Sequence, residues 1–123
     1  MLDWNALKAR ANTDGEFLLH ARFWNSTLKL RRGGDAWRLD VRGGKLEAIG
    51  SWSGAIAANL AIDAPEEDWD ALLAPLPRPF YQDLYGATLH HGFEVAGDTR
   101  HYCAYYPALR RLLELMREVR HGD

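Results

Sequence analysis

Residues 33–44 read Gly-Gly-Asp-Ala-Trp-Arg-Leu-Asp-Val-Arg-Gly-Gly, and this stretch is the starting point for the fold. Between the two glycine pairs, apolar residues at Trp37, Leu39 and Val41 alternate with polar ones. That two-residue period is typical of a strand with one buried face and one wet face. Glycine readily adopts the positive φ that tight hairpin turns require. The stretch therefore predicts a strand between two hairpin turns, within an antiparallel meander.

The segments on either side extend this meander. Alternating apolar residues predict strands over residues 16–24, 27–32 and 45–49, with Asn25-Ser26 as the turn between the first two. A fifth strand is predicted over 55–62, where the small residues also allow a helix but Ile and Leu recur at even spacing.

A helix is predicted directly after that fifth strand. Asp63 or Ala64 takes the N-cap, and Pro65 takes the first helical position, where its fixed φ and missing N–H are tolerated. Three acidic residues follow in the first turn, where the helix dipole favours negative charge. The inward positions of this helix are Trp69, Leu72 and Leu73.

Prolines mark the next part of the chain. Three of them within residues 75–79 predict an extended connector that cannot be helical throughout. Residues 80–89 return to a helical pattern with Phe80 and Leu84 facing inward, and residues 93–95 can form one short strand.

Both ends of the chain have helical patterns. Residues 2–13 predict an amphipathic helix that Asp3 can cap. The last helix can be capped by Asp98 or Thr99, and Pro107 within it predicts either a kink or a fresh helix start. Its apolar stripe has helical spacing and consists of Tyr102, Tyr105, Tyr106, Leu109, Leu112, Leu113, Met116 and Val119.

Length and composition agree with a single domain over residues 1–123. The chain is 47% hydrophobic and 26% charged, which is ordinary for a packed domain of this size. The order of elements predicts an α+β fold, in which a five-stranded, largely antiparallel sheet is covered on one face by helices. Five Trp, five Tyr and four Phe are a generous aromatic supply for so short a chain.

Charge and composition exclude several functional classes. Fifteen Lys and Arg against seventeen Asp and Glu leave a net charge of −2, without the basic excess typical of nucleic-acid binding. No apolar run approaches the roughly 18 residues that span a bilayer, so stable membrane insertion is not expected. Cys103 is the single cysteine, and the first residues lack a signal-peptide pattern. We therefore expect a reduced, cytoplasmic protein without a nucleic-acid partner.

Two segments resemble a known family. Residues 64–73 read Ala-Pro-Glu-Glu-Asp-Trp-Asp-Ala-Leu-Leu directly after a predicted strand, and residues 92–98 read Gly-Phe-Glu-Val-Ala-Gly-Asp before the last helix. This arrangement is similar to the sterol-carrier-protein-type (SCP-2-like) lipid-binding domain, in which a short strand with that glycine pattern returns to the sheet edge. The matching positions are Gly92, Phe93, Val95, Gly97 and Asp98. The connector over 75–85 is longer and richer in proline than this family pattern.

The resemblance implies a cavity between sheet and helices that takes a fatty acyl chain, a sterol or a related apolar molecule, with no cofactor. The many aromatic residues near the C-terminus are consistent with such a cavity, because Tyr rings offer both apolar area and a hydroxyl. These rings can equally fill the core. The candidate ligand-binding residues are Phe80, Tyr81, Leu84, Tyr85, Phe93, Tyr102, Tyr105, Tyr106, Leu109 and Asp83.

The sequence patterns for a metal site and for a catalytic acidic site are weaker than those for an apolar ligand site. His90, His91 and His101 suggest a metal, but adjacent histidines usually point apart and no spaced ligand motif accompanies them. We predict no metal site. The acidic residues over 66–70 lie where a helix dipole stabilises them on a wet face, so a catalytic role is not expected there.

Two other functions remain open at this point. A small isomerase, cyclase or hydrolase could act on an apolar substrate in the same cavity, with Asp83, His90 or Cys103 as acid, base or nucleophile. Alternatively, the aromatic strip could form a dimerisation or interaction surface. The sequence does not separate these readings.

Overall fold

The computed structural model describes residues 1–54 and 57–122. Five helices and five strands occur within these ranges. In chain order they are α1 (Trp4–Ala11), α2 (Gly15–Ala21), β1 (Ser26–Arg32), β2 (Asp35–Arg42), β3 (Lys45–Ser51), β4 (Leu60–Ala64), α3 (Glu66–Leu72), α4 (Leu84–His90), β5 (Glu94–Gly97) and α5 (Thr99–Arg120).

The strands form one sheet in the order β3-β2-β1-β4-β5. Neighbouring strands are antiparallel except β1 and β4, which run parallel with Leu28 opposite Leu60. The predicted α+β class and the largely antiparallel five-stranded sheet are confirmed. The chain leaves β3 at one edge of the sheet and returns next to β1.

The two glycine pairs form the predicted hairpins. Gly33, Gly43 and Gly44 have φ values of 59°, 58° and 76°, which residues with a Cβ rarely adopt. At Gly44 a Cβ would also lie 2.8 Å from the carbonyl oxygen of Ala21, so the β2–β3 turn fits closely under α2. The side chain of Asn12 adds a second link, because it bonds both backbone groups of Leu46 at 2.8 Å.

The strand predicted over residues 16–24 is wrong, because this segment forms helix α2. The Asp14 side chain accepts a hydrogen bond from the Phe17 N–H at 2.8 Å and caps the helix. Phe17 and Ala21 are both fully buried. Residues four apart lie on the same face of a helix, so the helix can bury this pair, which a strand would also place on one face. Asn25-Ser26 accordingly makes no hairpin turn, and Ser26 begins β1.

The strand predicted over 55–62 is shifted. Residues 55 and 56 lie outside the described part of the chain, residues 57–59 are not in a strand, and β4 runs from Leu60 to Ala64. Before it, the Asn59 side chain accepts from the Thr27 N–H at 2.7 Å. The later strand end moves the following helix by one residue, so Pro65 is the N-cap of α3 rather than its first residue.

Helix α4 is shorter than the predicted segment over 80–89. Phe80 lies in the preceding turn with φ 68° and is 49% exposed, so it does not face inward. The helix begins after Asp83, whose carboxylate accepts from the Gly86 N–H at 2.9 Å. Leu84 is fully buried, as predicted.

Helix α5 is continuous from Thr99 to Arg120 with Pro107 inside it, so of the two alternatives predicted at Pro107 the fresh helix start is wrong. Asp98 is the N-cap, as one of the two predicted alternatives. The buried residues of its inward face are Ala108, Leu109, Leu112, Leu113, Leu115 and Met116, and they pack with α1 and α2. Within the described ranges, no helix has the length and apolar character needed to cross a membrane.

Candidate ligand pocket beside the edge strand

A pocket of about 270 Å³ lies where β4, the edge strand β5, α4 and the start of α5 meet. Most of its surface is apolar. The residues that line it are Leu60, Tyr85, Thr88, Val95, Ala96, Gly97, Thr99 and Tyr102. We call this space the edge-strand pocket.

Strand β5 and its terminal glycine form one wall. Gly97 has φ 117°, and a Cβ on it would lie 2.1 Å from the carbonyl oxygen of Asn59. Only glycine allows the backbones to approach so closely. The next residue, Asp98, donates its N–H to the same Asn59 oxygen at 2.7 Å and caps α5 with its carboxylate. Tyr102 therefore follows one helical turn after the strand and faces the pocket.

Helix α4 forms the opposite wall. Its buried side, with Leu84 and Ala87, packs into the core, and Tyr85 and Thr88 line the pocket. The Thr88 hydroxyl donates to the Tyr85 carbonyl at 2.7 Å, so its proton is already in use. The Tyr85 N–H donates to the Tyr106 hydroxyl oxygen at 2.9 Å, which ties the start of α4 to α5.

Tyr102 carries the one buried hydroxyl at this site that has no hydrogen-bond partner among the described residues. Its ring meets that of Tyr106 edge to face, with centroids 5.4 Å apart. Burial, with smaller contributions from Tyr106 and Asp83, raises the pKa of Tyr102 to about 12. The hydroxyl is therefore protonated at neutral pH.

The predicted ligand residues are divided between the pocket and the core. Tyr85 and Tyr102 line the edge-strand pocket. Leu84 and Leu109 are buried in the core, and Phe93 packs edge to face on Trp69 with centroids 5.0 Å apart.

The remaining candidates have other structural partners. Tyr105 stacks on Trp24 and donates its hydroxyl to the Phe23 carbonyl at 3.2 Å. The Tyr81 hydroxyl donates to Asp68, and its ring stacks on His91. Burial and the hydrogen bond to Asp68 raise the pKa of Tyr81. Phe80 and Asp83 are the turn residue and the helix cap described above. The last candidate, Tyr106, does not line the edge-strand pocket and lies instead in a cleft with Glu16 and Arg110.

Most of the pocket lining was not predicted. Leu60, Thr88, Ala96 and Thr99 are small or aliphatic residues without a chemical signature. The glycine pattern over residues 92–98 was the available signal, because a glycine at a strand end indicates a close backbone approach there. Sequence reasoning used that pattern for the fold and overlooked its neighbours as lining residues.

The other polar candidates do not converge. The His90 ring stacks on Phe80. The His91 Nε2 atom lies 3.1 Å from the Pro79 carbonyl oxygen, and the His101 Nε2 atom lies 3.8 Å from the Asp98 carboxylate. In the described parts of the chain, no group of three or more His, Cys, Asp or Glu is arranged to hold a metal ion. Among the acidic residues of α3, Asp70 is in ion pairs with Arg32 at 3.0 Å and Arg120 at 2.6 Å, and Asp68 accepts from the Tyr81 hydroxyl.

Solved structures identify the fold. Sterol carrier protein 2 superposes with a TM-score of 0.77 at 22% identity, over 97% of each chain. A conserved hypothetical protein from Thermus thermophilus gives 0.73 at 21% identity, over 93% of this chain and 83% of that one. A stereoselective inverting sec-alkylsulfatase from Pseudomonas sp. gives 0.54 at 18% identity, over 80% of this chain and 14% of the enzyme.

No family model matches this sequence, and no curated protein matches it either. The structural similarity confirms the predicted resemblance at the level of the fold, and the chain has the sterol carrier protein 2 fold.

Proposed function

We propose that this protein binds, and so can carry, a small apolar molecule in the edge-strand pocket without chemically changing it. The observation that carries the proposal is the mostly apolar pocket between β5, α4 and the start of α5. An apolar surround with few polar groups is typical of small-molecule sites. The sterol carrier protein 2 fold supports a lipid-binding role.

Most of the binding energy would come from removing ligand carbon from water, at about 25 cal/mol per Å² of apolar surface. The pocket has a volume of about 270 Å³. We therefore propose that it takes a short apolar molecule or one part of a longer one.

Blocking the pocket tests the proposal. Ala96 is an exposed residue of β5 that lines the pocket, so Ala96→Trp should fill the space without disturbing the core. Ala48 is an exposed strand residue of β3 that does not line it, and Ala48→Trp is the matched control. Binding of a fluorescent short-chain fatty ester should be saturable in the wild type and the control and lost in Ala96→Trp.

A second measurement tests whether the protein acquires an apolar ligand during expression. Solvent extraction and mass spectrometry of the purified protein should find an apolar molecule in the wild type and less of it in Ala96→Trp. Equal probe binding by all three proteins, or no binding and no extracted molecule in the wild type, would reject the proposal.

The enzyme reading has less support from the residues proposed for it. His90 and Cys103 are exposed, and the Asp83 carboxylate is occupied as the cap of α4. A dimerisation role remains a prediction, and exposed Phe23 and Leu76 are the residues to examine.

A further inference from the structure

We propose that strand β5 accepts an extended peptide of a partner protein as a sixth strand of the sheet. The peptide runs antiparallel to β5, places an apolar side chain in the edge-strand pocket and places a Lys or Arg beside Glu94. This interaction goes beyond the proposed function and does not depend on it, because it uses the backbone of β5. The peptide and a small apolar molecule compete for the same pocket.

The first step concerns the backbone of β5, whose register with β4 places Gly97 opposite Leu60. In an antiparallel pair, opposite residues alternate between those that exchange hydrogen bonds and those whose N–H and C=O point away from the partner strand. The Asp98 N–H donates to the carbonyl of Asn59 directly opposite it, which fixes this alternation. The N–H and C=O groups of Val95 and Gly97 therefore point away from β4, along the free edge of the sheet.

The second step compares the two edges of the sheet. At the β3 edge, the side chain of Asn12, at the end of α1, bonds both backbone groups of Leu46. At the β5 edge, no described residue makes a hydrogen bond to the outward groups of Val95 and Gly97. Three of the four residues of β5 are exposed, so this edge is accessible. A sheet edge with unpaired backbone groups is a template for a further strand.

The third step concerns the side chain that such a strand directs inward. Val95 lies opposite the fully buried Ile62, so it is on the core face of the sheet. A residue paired with Val95 from a sixth strand points to the same face. The space beside it is the edge-strand pocket, which Val95 lines together with Tyr85 of α4 and Tyr102 of α5. An apolar side chain is matched to this mostly apolar space.

The fourth step concerns charge on the outer face of the sheet. Glu94 lies directly opposite Asp63 of β4, and both are exposed. Like charges that face each other across two strands destabilise a sheet. Asp63 has Arg31 of β1 as its neighbour on the other side, whereas Glu94 is at the edge and has no ion pair within the described chain. A Lys or Arg opposite Glu94 offsets this repulsion, so the preferred peptide alternates basic and apolar residues.

The test uses three peptides that are acetylated and amidated at their ends, and their binding to the ¹⁵N-labelled protein is followed by NMR. The first is Lys-Val-Lys-Val-Lys-Val-Lys. The second carries N-methyl groups on its valines, whose N–H groups face β5 in the proposed pairing, and it keeps the same charge. The third has Glu in place of every Lys.

The first peptide should bind in a saturable way and slow hydrogen exchange at the amides of Val95 and Gly97. The Ala96 amide already points toward β4, so its exchange should change little. Methylation of the valines should weaken binding at least about tenfold, because several backbone hydrogen bonds are lost. The Glu peptide should bind at least about threefold more weakly than the Lys peptide, because it meets Glu94 with a like charge.

Protein variants test the two features of β5. Val95→Pro removes an outward N–H and no bond to β4, and edge strands tolerate proline at such a position. It should weaken binding of the Lys peptide at least about fivefold. Glu94→Gln should weaken it about twofold to fivefold, the value of an exposed ion pair. Glu47→Gln is the matched control, because Glu47 is an exposed acid on the other edge strand, and it should bind like the wild type.

The outcomes separate this inference from the proposed function. Equal binding of the methylated and unmethylated peptides, or unchanged exchange at Val95 and Gly97, overturns the sixth strand, and equal binding of the Lys and Glu peptides overturns the role of Glu94. Binding of the fluorescent ester without binding of any peptide overturns this inference alone. Peptide binding by a protein that takes up no ester or other apolar molecule overturns the proposed function alone. The peptide comparisons need no variant, so the inference is tested even if a substitution prevents folding.

Discussion

At the scale of single residues, Tyr102 shows what the sequence could and could not supply. Helical spacing placed it on the apolar stripe of the last helix together with Tyr105 and Tyr106. The structure gives the three rings different surroundings: Tyr105 and Tyr106 have hydroxyl partners, and Tyr102 has none in the described chain. A one-dimensional pattern cannot contain this difference, because it depends on which backbone groups from distant segments reach each hydroxyl.

The raised pKa of Tyr102 predicts a loss of stability in alkali. Below pH 10 the phenol is protonated in both the folded and unfolded chain. Between pH 10 and about 12 the unfolded chain releases the proton and the folded chain keeps it, so the free energy of unfolding falls as pH rises. Tyr102→Phe should reduce this fall, measured by urea unfolding at several pH values. Burial also raises the pKa of Tyr106, so part of the fall should remain.

A tyrosine absorbance titration measures the raised pKa of Tyr102 directly. Tyr102→Phe should remove one late-titrating phenol from the folded protein. If the variant titrates like the wild type and loses stability to the same extent, the account of Tyr102 as a buried phenol is wrong.

At the scale of elements, α2 was mispredicted as a strand for a physical reason. Its apolar residues satisfy both a two-residue alternation and an i, i+4 pair, so the local pattern is ambiguous. The choice depends on Asp14, which caps α2 and also bonds Arg111 of α5 at 2.9 Å and 3.0 Å. The strands around residues 33–44 were predictable because their glycine turns are local, whereas the α2 contact joins residues far apart in sequence.

Asp14→Ala should lower the free energy of unfolding by about 2 kcal/mol. The substitution removes the N-cap of α2 and also takes away the ion-pair partner of the partly buried Arg111 guanidinium. Asp14→Asn can keep the cap, so it should cost less. The hydrogen bond from Arg111 lowers the pKa of Asp14, so its contribution is present above its ordinary pKa near 3.8 and is lost as pH falls below it. Urea unfolding at pH 7 and pH 3 measures this: the gap between wild type and Asp14→Ala should narrow at pH 3. An equal gap at both pH values would contradict the ion pair.

The edge strand makes a second prediction at this scale. Gly97→Ala places a Cβ against the Asn59 carbonyl at a residue with positive φ. It should therefore lower the free energy of unfolding by about 1 to 3 kcal/mol and weaken ligand binding in the adjacent pocket. Gly50→Ala in β3 is the matched control, because a Cβ there meets nothing within 4 Å. Thermal unfolding and ester binding measure the two effects. Equal behaviour of the two variants would show that Gly97 does not set the approach of β5.

At the scale of the whole molecule, the sequence predicted the fold class and the sheet better than the site. The meander and the resemblance around Gly92–Asp98 were enough for the α+β layout. The parallel contact between β1 and β4 was not predictable from local patterns, because it joins distant segments of the chain, with Asn59 bonded to Thr27 across the crossover. The pocket depends on the same contact, which brings β5 next to α4 and α5.

The most direct test of the central claim is an NMR titration of the ¹⁵N-labelled protein with a short methyl ketone. Amide shifts should change in a saturable way at the lining residues of the edge-strand pocket, above all Thr88, Ala96, Gly97 and Thr99. The cleft formed by Glu16 and Arg110 should stay unchanged. Shifts confined to that cleft, or no saturable shifts at all, would contradict the claim that this pocket binds an apolar molecule.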